Sequence, residues 1–272
     1  TMTLDIDTGE FFIADKDSLW AGESLYHLYE KAYTPWEWHK PIFERCRELG
    51  ILGFSTPFDD TAVDFLEKLG VPFYKIASFE NVDLPLIKKV AKTGKPIIVS
   101  TGMTTVAELD DLVHTARENG CEDLTLLKCT SSYPASPVGT NLRTIPHMKE
   151  LFGCEVGLSD HTLGIGAAVA SIALGATVIE KHFTLSRAEG GVDAAFSLEP
   201  EEMAQLVKEC RAAYEALGEI SYAVQEQEKK SLVFRRSLYV AEDMKAGEAF
   251  TEKNLRRIRP GLGLAPKYYD VI

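Results

Sequence analysis

The sequence predicts an α/β fold with a parallel sheet, built as a (β/α)8 barrel whose first two strands are missing from the chain. Three observations lead there. Six short apolar or β-branched runs follow one another from residue 51, and most are followed by a segment with helical periodicity. Most of those helical segments close on Gly, the residue favoured just past a helix C-terminus. The apolar runs are apolar on both faces, as in a parallel sheet covered by helices.

The elements justify themselves in order. Residues 1–50 hold an acidic, loop-like opening and then SLYHLYEKAYTPWEWHKPIFERCRELG (24–50), whose second half predicts a helix, with TPWEWH read as its Pro-marked N-terminus. The six strand candidates are ILGFSTPF (51–58), VPFYKIAS (71–78), KPIIVSTG (95–102), LTLLKCTSSY (124–133), CEVGLSDHT (154–162) and ATVIEKHFT (176–184). Helices are predicted at DDTAVDFLEKLG (59–70), VDLPLIKKVAKTG (82–94), TVAELDDLVHTARENG (105–120) and EEMAQLVKECRAAYEALG (201–218). Six units fall two short of a closed barrel, so two strands are expected to precede residue 1. An open six-stranded α/β sheet is the alternative, with no nucleotide-type glycine loop to mark a switch point. The barrel is assigned to residues 1–218. Residues 219–233 are polar and predict a linker or connecting helix. Residues 234–272 predict a strand, a turn at KAG and a helix start at TEKN, the opening of a small second domain.

Composition bounds the function. The chain has 272 residues, 45% of them hydrophobic and 26% charged, and a formal net charge of −12. That balance excludes a nucleic-acid-binding surface, which needs clustered Lys and Arg, but leaves room for a local anion pocket. The segment IGAAVASIALGA (165–176) is too short to span a bilayer and reads as a buried helix. No membrane association, signal peptide or paired-cysteine motif is predicted. Five unclustered cysteines fit reduced thiols in the cytoplasm.

The polar residues at the ends of the strand candidates carry the chemistry. They are Ser55-Thr56, Lys75 with Ser78, Ser100-Thr101, Lys128 through Tyr133, Ser159-Asp160-His161 and Glu180-Lys181-His182. In a βα barrel those ends form one face, where active sites lie. Hydroxyls and a lysine there can surround a phosphate through charge-assisted hydrogen bonds. Two histidines at matching positions of successive strands can ligate one divalent ion and leave positions open for substrate. Each residue also has a plainer reading: a strand-end histidine can be a hydrogen-bonded structural group, and Lys75 could cap a neighbouring carboxylate. His27, His114 and His147 are expected at the surface.

The motifs STPFD, YKIAS, VSTGM, KCTSSYP, VGLSDHT and IEKHFT, in this order, resemble those of the sialic acid synthase family, and the resemblance runs over nearly the whole chain. Within that family, TLDIDTGEFFI, LYHLYEKAYTPWEWH, EGGVDAAFSLEPEE and FRRSLYV are most similar to one branch. Its acceptor is a 2,4-diacetamido-2,4,6-trideoxy hexose of the altrose series. The neuraminate- and legionaminate-forming branches share the strand-end motifs. The resemblance implies condensation of phosphoenolpyruvate with an amino sugar. It implies a (β/α)8 barrel followed by a small antifreeze-like (SAF) domain, incomplete here, in a domain-swapped homodimer. It also implies a divalent metal, manganese before magnesium or cobalt, on His161 and His182. Thr56, Lys75, Ser78, Ser100, Ser131 and Ser159 would bind phosphoenolpyruvate with Tyr133 nearby. Asp193 and Glu180 would be the acids beside the metal and the sugar. Arg259 would enter the partner's sugar site. The family's first-strand acid and Asn-His pair and its second-strand lysine have no counterpart here. A non-catalytic sugar-binding paralogue is the rival from another class.

Overall fold

The computed structural model describes residues 2–16 and 18–272, and the chain divides into two compact units, 1–218 and 219–272. The first unit contains helices α1 (Leu25–Ala32), α2 (Trp36–Glu48) and α3 (Asp60–Leu69). There follow β1 (Tyr74–Ile76), α4 (Leu84–Ala91), β2 (Ile97–Ser100), α5 (Val106–Glu118), β3 (Leu124–Cys129), α6 (Thr144–Phe152) and β4 (Glu155–Asp160). It ends with α7 (Gly166–Ile172), β5 (Val178–Lys181) and α8 (Pro200–Leu217). The five strands pair in sequence order, all parallel, as a half-barrel whose edges are β1 and β5.

Local chemistry sets the helix ends. The Asp59 side chain accepts from the Ala62 amide at the start of α3, and Gly70 ends it with φ of 68°, where a Cβ would be strained. Thr105 and Glu108 form a reciprocal capping box on α5.

Strand alternation then separates two environments. Tyr74, Ile76, Ile97, Val99, Leu124, Leu126, Val156 and Leu158 are all buried in the hydrophobic cluster shared with Val63, Leu66, Ile87, Val90, Leu112 and Ile145 of the helices. Tyr74 shows the direction: its hydroxyl donates to Glu67 of α3 at 2.7 Å. The intervening residues, Lys75, Ser100, Leu127, Cys129, Gly157, Ser159 and Glu180, face the concave side. Each fully buried aliphatic side chain on the helix side stabilises the unit by roughly 1.5–3 kcal/mol relative to exposure.

Three expectations need correction. Residues 51–58 form no strand and make no ladder to β1. This backbone packs on α2 instead. The Ile51 amide donates to the Cys46 carbonyl, and a Cβ on Gly53 would come within 2.9 Å of Phe43. The first half of 24–50 is also helical, because Ser24 caps α1 by accepting from the His27 amide. TEKN (251–254) starts no helix. Thr251 and Asn254 bond each other's amides through their side chains, closing a turn that opens a second strand.

The second unit pairs β6 (Ser237–Val240) with β7 (Leu255–Ile258) antiparallel, with Leu238 and Leu255 buried. Residues 219–233, expected as a linker, belong to this unit, and 3-10 turns run over Glu226–Phe234.

Gly157 marks a tight point of the concave face, where β4 meets the backbone of β5. A Cβ there would lie 2.2 Å from the Val178 carbonyl oxygen and 2.6 Å from Leu127. Gly157→Ala is therefore expected to lower the unfolding free energy by about 3 kcal/mol, the upper end for overpacking. Urea titration of wild type and variant measures it, and a change below about 0.5 kcal/mol would contradict the packing.

Candidate active site

Glu180 is the centre of the strand ends. Its Oε1 lies 3.2 Å from Lys75 Nζ and accepts from Ser159 Oγ at 2.7 Å and Ser100 Oγ at 3.4 Å. These partners come from β1, β2 and β4, so the contact crosses the mouth of the half-barrel. Lys75 is buried, with 8% exposure, and it does cap a carboxylate, one that belongs to the site itself. Glu80, in the loop after β1, adds a second acid. Burial pushes its carboxyl up, the Lys75 charge opposes that, and its Oε2 is buried without a hydrogen-bond partner among the described residues.

The serines close a small cradle. Ser78 accepts from the Gly102 amide at 3.0 Å. A Cβ on Gly102 would meet Ser131 Oγ at 2.1 Å and Ser78 Oγ at 2.8 Å, so a side chain there would fill the space between them. Asn81 holds this loop by donating to the Ser100 and Gly102 carbonyls, both at 3.2 Å, and to Thr104.

The histidines lie beside the cradle. β4 and β5 pair Ser159 with Glu180 and Asp160 with Lys181, which brings the next residues, His161 and His182, side by side with ring centroids 5.2 Å apart. His161 Nδ1 lies 2.9 Å from the Thr130 carbonyl, which only accepts, so Nδ1 carries the proton. His182 Nδ1 lies 3.4 Å from Asp193 Oδ2. Both rings are thus held through Nδ1, leaving Nε2 for another partner, the arrangement usual for imidazole ligands with outer-shell acceptors. The donor set fits a divalent ion with open positions. Among the described residues, the group with three candidate ligand atoms within 4.8 Å of one another is Asp5, Asp7 and His27, all exposed and none of them at the strand ends.

The Tyr133 ring packs at a tilt 4.3 Å from His161 and 5.3 Å from Phe196, and its hydroxyl is pushed up to about 12 by burial and by Cys129, Asp193 and Glu180. Burial would raise the Cys129 thiol, but hydrogen bonds with His161, Ser78 and Ser159 outweigh it and bring it down to about 7. Burial pulls His161 down, and contacts with Cys129 and Thr130 hold it above the ordinary imidazole value.

The structure thus gathers Lys75, Ser78, Ser100, Ser131, Tyr133, Ser159, His161, Glu180, His182 and Asp193. It does not bring in Thr56. That residue is half-buried and lines a cavity of 650 Å³ with His39, Tyr29, Tyr33 and Phe58, where His39 bonds Ser55 at 3.0 Å. That cavity has titratable groups of its own, Glu30, His39 and Asp59 among them, whereas Lys75, Glu180 and the histidine pair meet at the strand ends. Arg259 follows β7 in the second unit, exposed and with no ion pair among the described residues. Sequence reading passed over Glu80, Asn81 and Trp20, and took Cys129 only as one position of the run Lys128 through Tyr133. Cys129 was findable, lying between Leu127 and Ser131 on the concave side. Trp20 was not: its indole donates to the Val192 carbonyl at 3.1 Å, 172 positions along the chain.

A parallel half-barrel with a cradle of serines beside a lysine–glutamate pair and two histidines at its strand ends is the class defined here, and the chain belongs to the NeuB family, whose model matches residues 3–222. Among curated proteins it is similar to the pseudaminic acid synthase of Campylobacter jejuni, 45% identical over 270 residues, 99% of this chain and 78% of that protein. The Helicobacter pylori pseudaminic acid synthase is 44% identical over 272 residues, 100% of this chain and 79% of that one. These relatives are of the branch that the segments around 3–13 and 189–202 resemble. Among solved structures, the N-acetylneuraminic acid synthetase of Leptospira borgpetersenii superposes with a TM-score of 0.71 at 32% identity, over 76% of this chain and 72% of that one.

Replacing Glu180 tests the cradle directly. Glu180→Gln leaves the Lys75 ammonium without its nearest anion and should cost about 1.5–3 kcal/mol. Added inorganic phosphate should then raise the melting temperature of the variant more than that of wild type. Equal phosphate effects on both would show that Glu180 does not compete for Lys75.

Proposed function

We propose that the chain is a pseudaminic acid synthase. This is a phosphoenolpyruvate-dependent transferase that condenses phosphoenolpyruvate, water and 2,4-diacetamido-2,4,6-trideoxy-altrose to pseudaminic acid and phosphate by C–O cleavage. The observation that carries this reading is the 45% identity maintained over 99% of the chain. The convergence of Lys75, Ser100 and Ser159 on Glu180 beside the histidine pair supports it.

In this reading phosphoenolpyruvate takes over Lys75 and the hydroxyls of Ser78, Ser100, Ser131 and Ser159, and Lys75 exchanges Glu180 for the incoming anion. The cradle fixes the methylene carbon against the aldehyde carbon of the open-chain sugar, and positioning lowers the barrier to bond formation. Water adds to the former enol carbon, and the C–O bond to phosphate then breaks. Glu180, relieved of Lys75, and Asp193, next to His182, are the carboxylates placed to take and return protons. His161 and His182 present Nε2 to a divalent ion, manganese before magnesium or cobalt, which when bound polarises the aldehyde oxygen as a Lewis acid. The half-barrel is read as part of a (β/α)8 barrel and residues 234–272 as the start of an antifreeze-like (SAF) domain, in a cytoplasmic domain-swapped homodimer. No helix among the described residues is long and apolar enough to cross a membrane.

Phosphate release from phosphoenolpyruvate, measured over a panel of acceptor sugars, tests the reading. The altro-configured diacetamido sugar should be preferred over N-acetylmannosamine and over the acceptor of legionaminate synthases. Turnover should vanish on chelation and return with manganese. Lys75→Met should raise the phosphoenolpyruvate KM about tenfold to a hundredfold, as expected for a lost charged hydrogen bond of 1.5–3 kcal/mol, and leave the sugar KM nearly unchanged. Preference for another acceptor would move the chain to a sister branch. Sugar binding without any metal-dependent turnover would make it a non-catalytic paralogue.

We also propose that Arg259 acts in the partner subunit's sugar site. Support comes from its exposed position on the turn into Gly261, whose amide donates to the Val233 carbonyl at 2.8 Å. The neighbouring Arg257 is taken up by the Tyr269 ring at 4.8 Å. Subunit exchange between inactive Arg259→Ala and His161→Ala full-length proteins should restore activity, because some mixed dimers then hold one intact site. Verified heterodimers with no activity would rule out action in trans.

A further inference from the structure

The paired triplets Ser159-Asp160-His161 and Glu180-Lys181-His182 contribute their outer members to the reaction just described, and their middle members to nothing in it. Alternation turns Asp160 and Lys181 to the opposite face of the sheet. There Lys181 Nζ lies 2.8 Å from Asp160 Oδ2, with side-chain exposures of 2% and 1%. Lys181 also donates to the Thr162 carbonyl, and Asp160 Oδ1 accepts from the Thr162 amide at 2.9 Å. The His161 carbonyl, between them, accepts from the Ala135 amide at 2.9 Å. The backbone on both sides of His161 is therefore tied to β5 and to the chain after β3. A buried ion pair is a weak source of stability, since an apolar pair of similar volume often does as well. What it does supply is register: a one-residue slip of β5 against β4 would leave Asp160 buried without its cation and turn His182 away from His161.

We propose that the Asp160–Lys181 pair is the positioning device of the histidine pair. It holds β4 and β5 in the one register that sets His161 beside His182, and so sets the affinity for the divalent ion. This rests on the metal reading above.

The test is manganese binding by full-length protein, followed by the electron paramagnetic resonance of free Mn2+ and by metal-induced thermal stabilisation. Asp160→Asn keeps the shape and an acceptor for the Thr162 amide but loses the charge. It is expected to bind Mn2+ about 10- to 100-fold more weakly, a loss of the size that follows removal of an outer-shell partner, here because the backbone of His161 loses its tie to β5. Its metal-induced rise in melting temperature should shrink in step, while stabilisation by phosphoenolpyruvate without metal is retained. If this variant does not fold, the double variant Asp160→Asn/Lys181→Met, which leaves no unpaired charge, is titrated with the same expectation. Wild-type Mn2+ affinity in a folded variant overturns the proposal. Failure of both variants to fold also overturns it and makes the pair a general structural element. No Mn2+ binding by the wild-type protein would instead remove the metal reading on which it stands.

Discussion

The register between β4 and β5 is the constraint on which the candidate site depends. With Ser159 opposite Glu180, the hydroxyl donates to the carboxylate at 2.7 Å and the two histidines follow as neighbours. Parallel strands have a side-chain period of two, so a one-residue slip of β5 would replace Glu180 and His182 on the concave side by Ile179 and Lys181. Gly157 lets β4 approach the Val178 carbonyl, and the same register continues through Cys129 opposite Ser159 on β3. Packing of the convex face by Tyr74, Val99, Leu126 and Leu158 against the helices therefore fixes which polar groups face inward.

Charge at the strand ends is arranged as a compensated cluster. Lys75 meets Glu180 at 3.2 Å and lies within the field of Glu80, whose carboxyl is raised by burial. A lone buried ammonium would be costly, so the resting site supplies an internal anion for it. The net charge of −12 says nothing about this arrangement, because a single lysine with four hydroxyls makes the cradle.

Most of the half-barrel unit was legible because its signals are local. Apolar runs at 71–78, 95–102, 124–133, 154–162 and 176–184 became β1 to β5, and capping residues such as Asp59 and Thr105 stand where the helices begin. The run at 51–58 has the same composition yet forms no ladder. A strand needs a hydrogen-bonding neighbour as well as apolar residues, and this segment lies on α2 through Gly53 instead. Thr56 left the strand-end set with it. The short polar cap TEKN also misled, since Thr251 and Asn254 close a turn with the same side-chain-to-backbone bonds that begin helices.

By itself the sequence determined which residue types reach the strand ends: the alternation of SDH and EKH dictates that Ser159, His161, Glu180 and His182 share one face. Only the tertiary structure decided who pairs with whom. Lys75 finds Glu180 from 105 positions away because the sheet curves, and a curved sheet brings first and last strands together where a flat one would not. Trp20 reaches the Val192 carbonyl, and Asp160 is held by a lysine 21 residues on. Such contacts depend on chain closure over distances at which no local propensity operates.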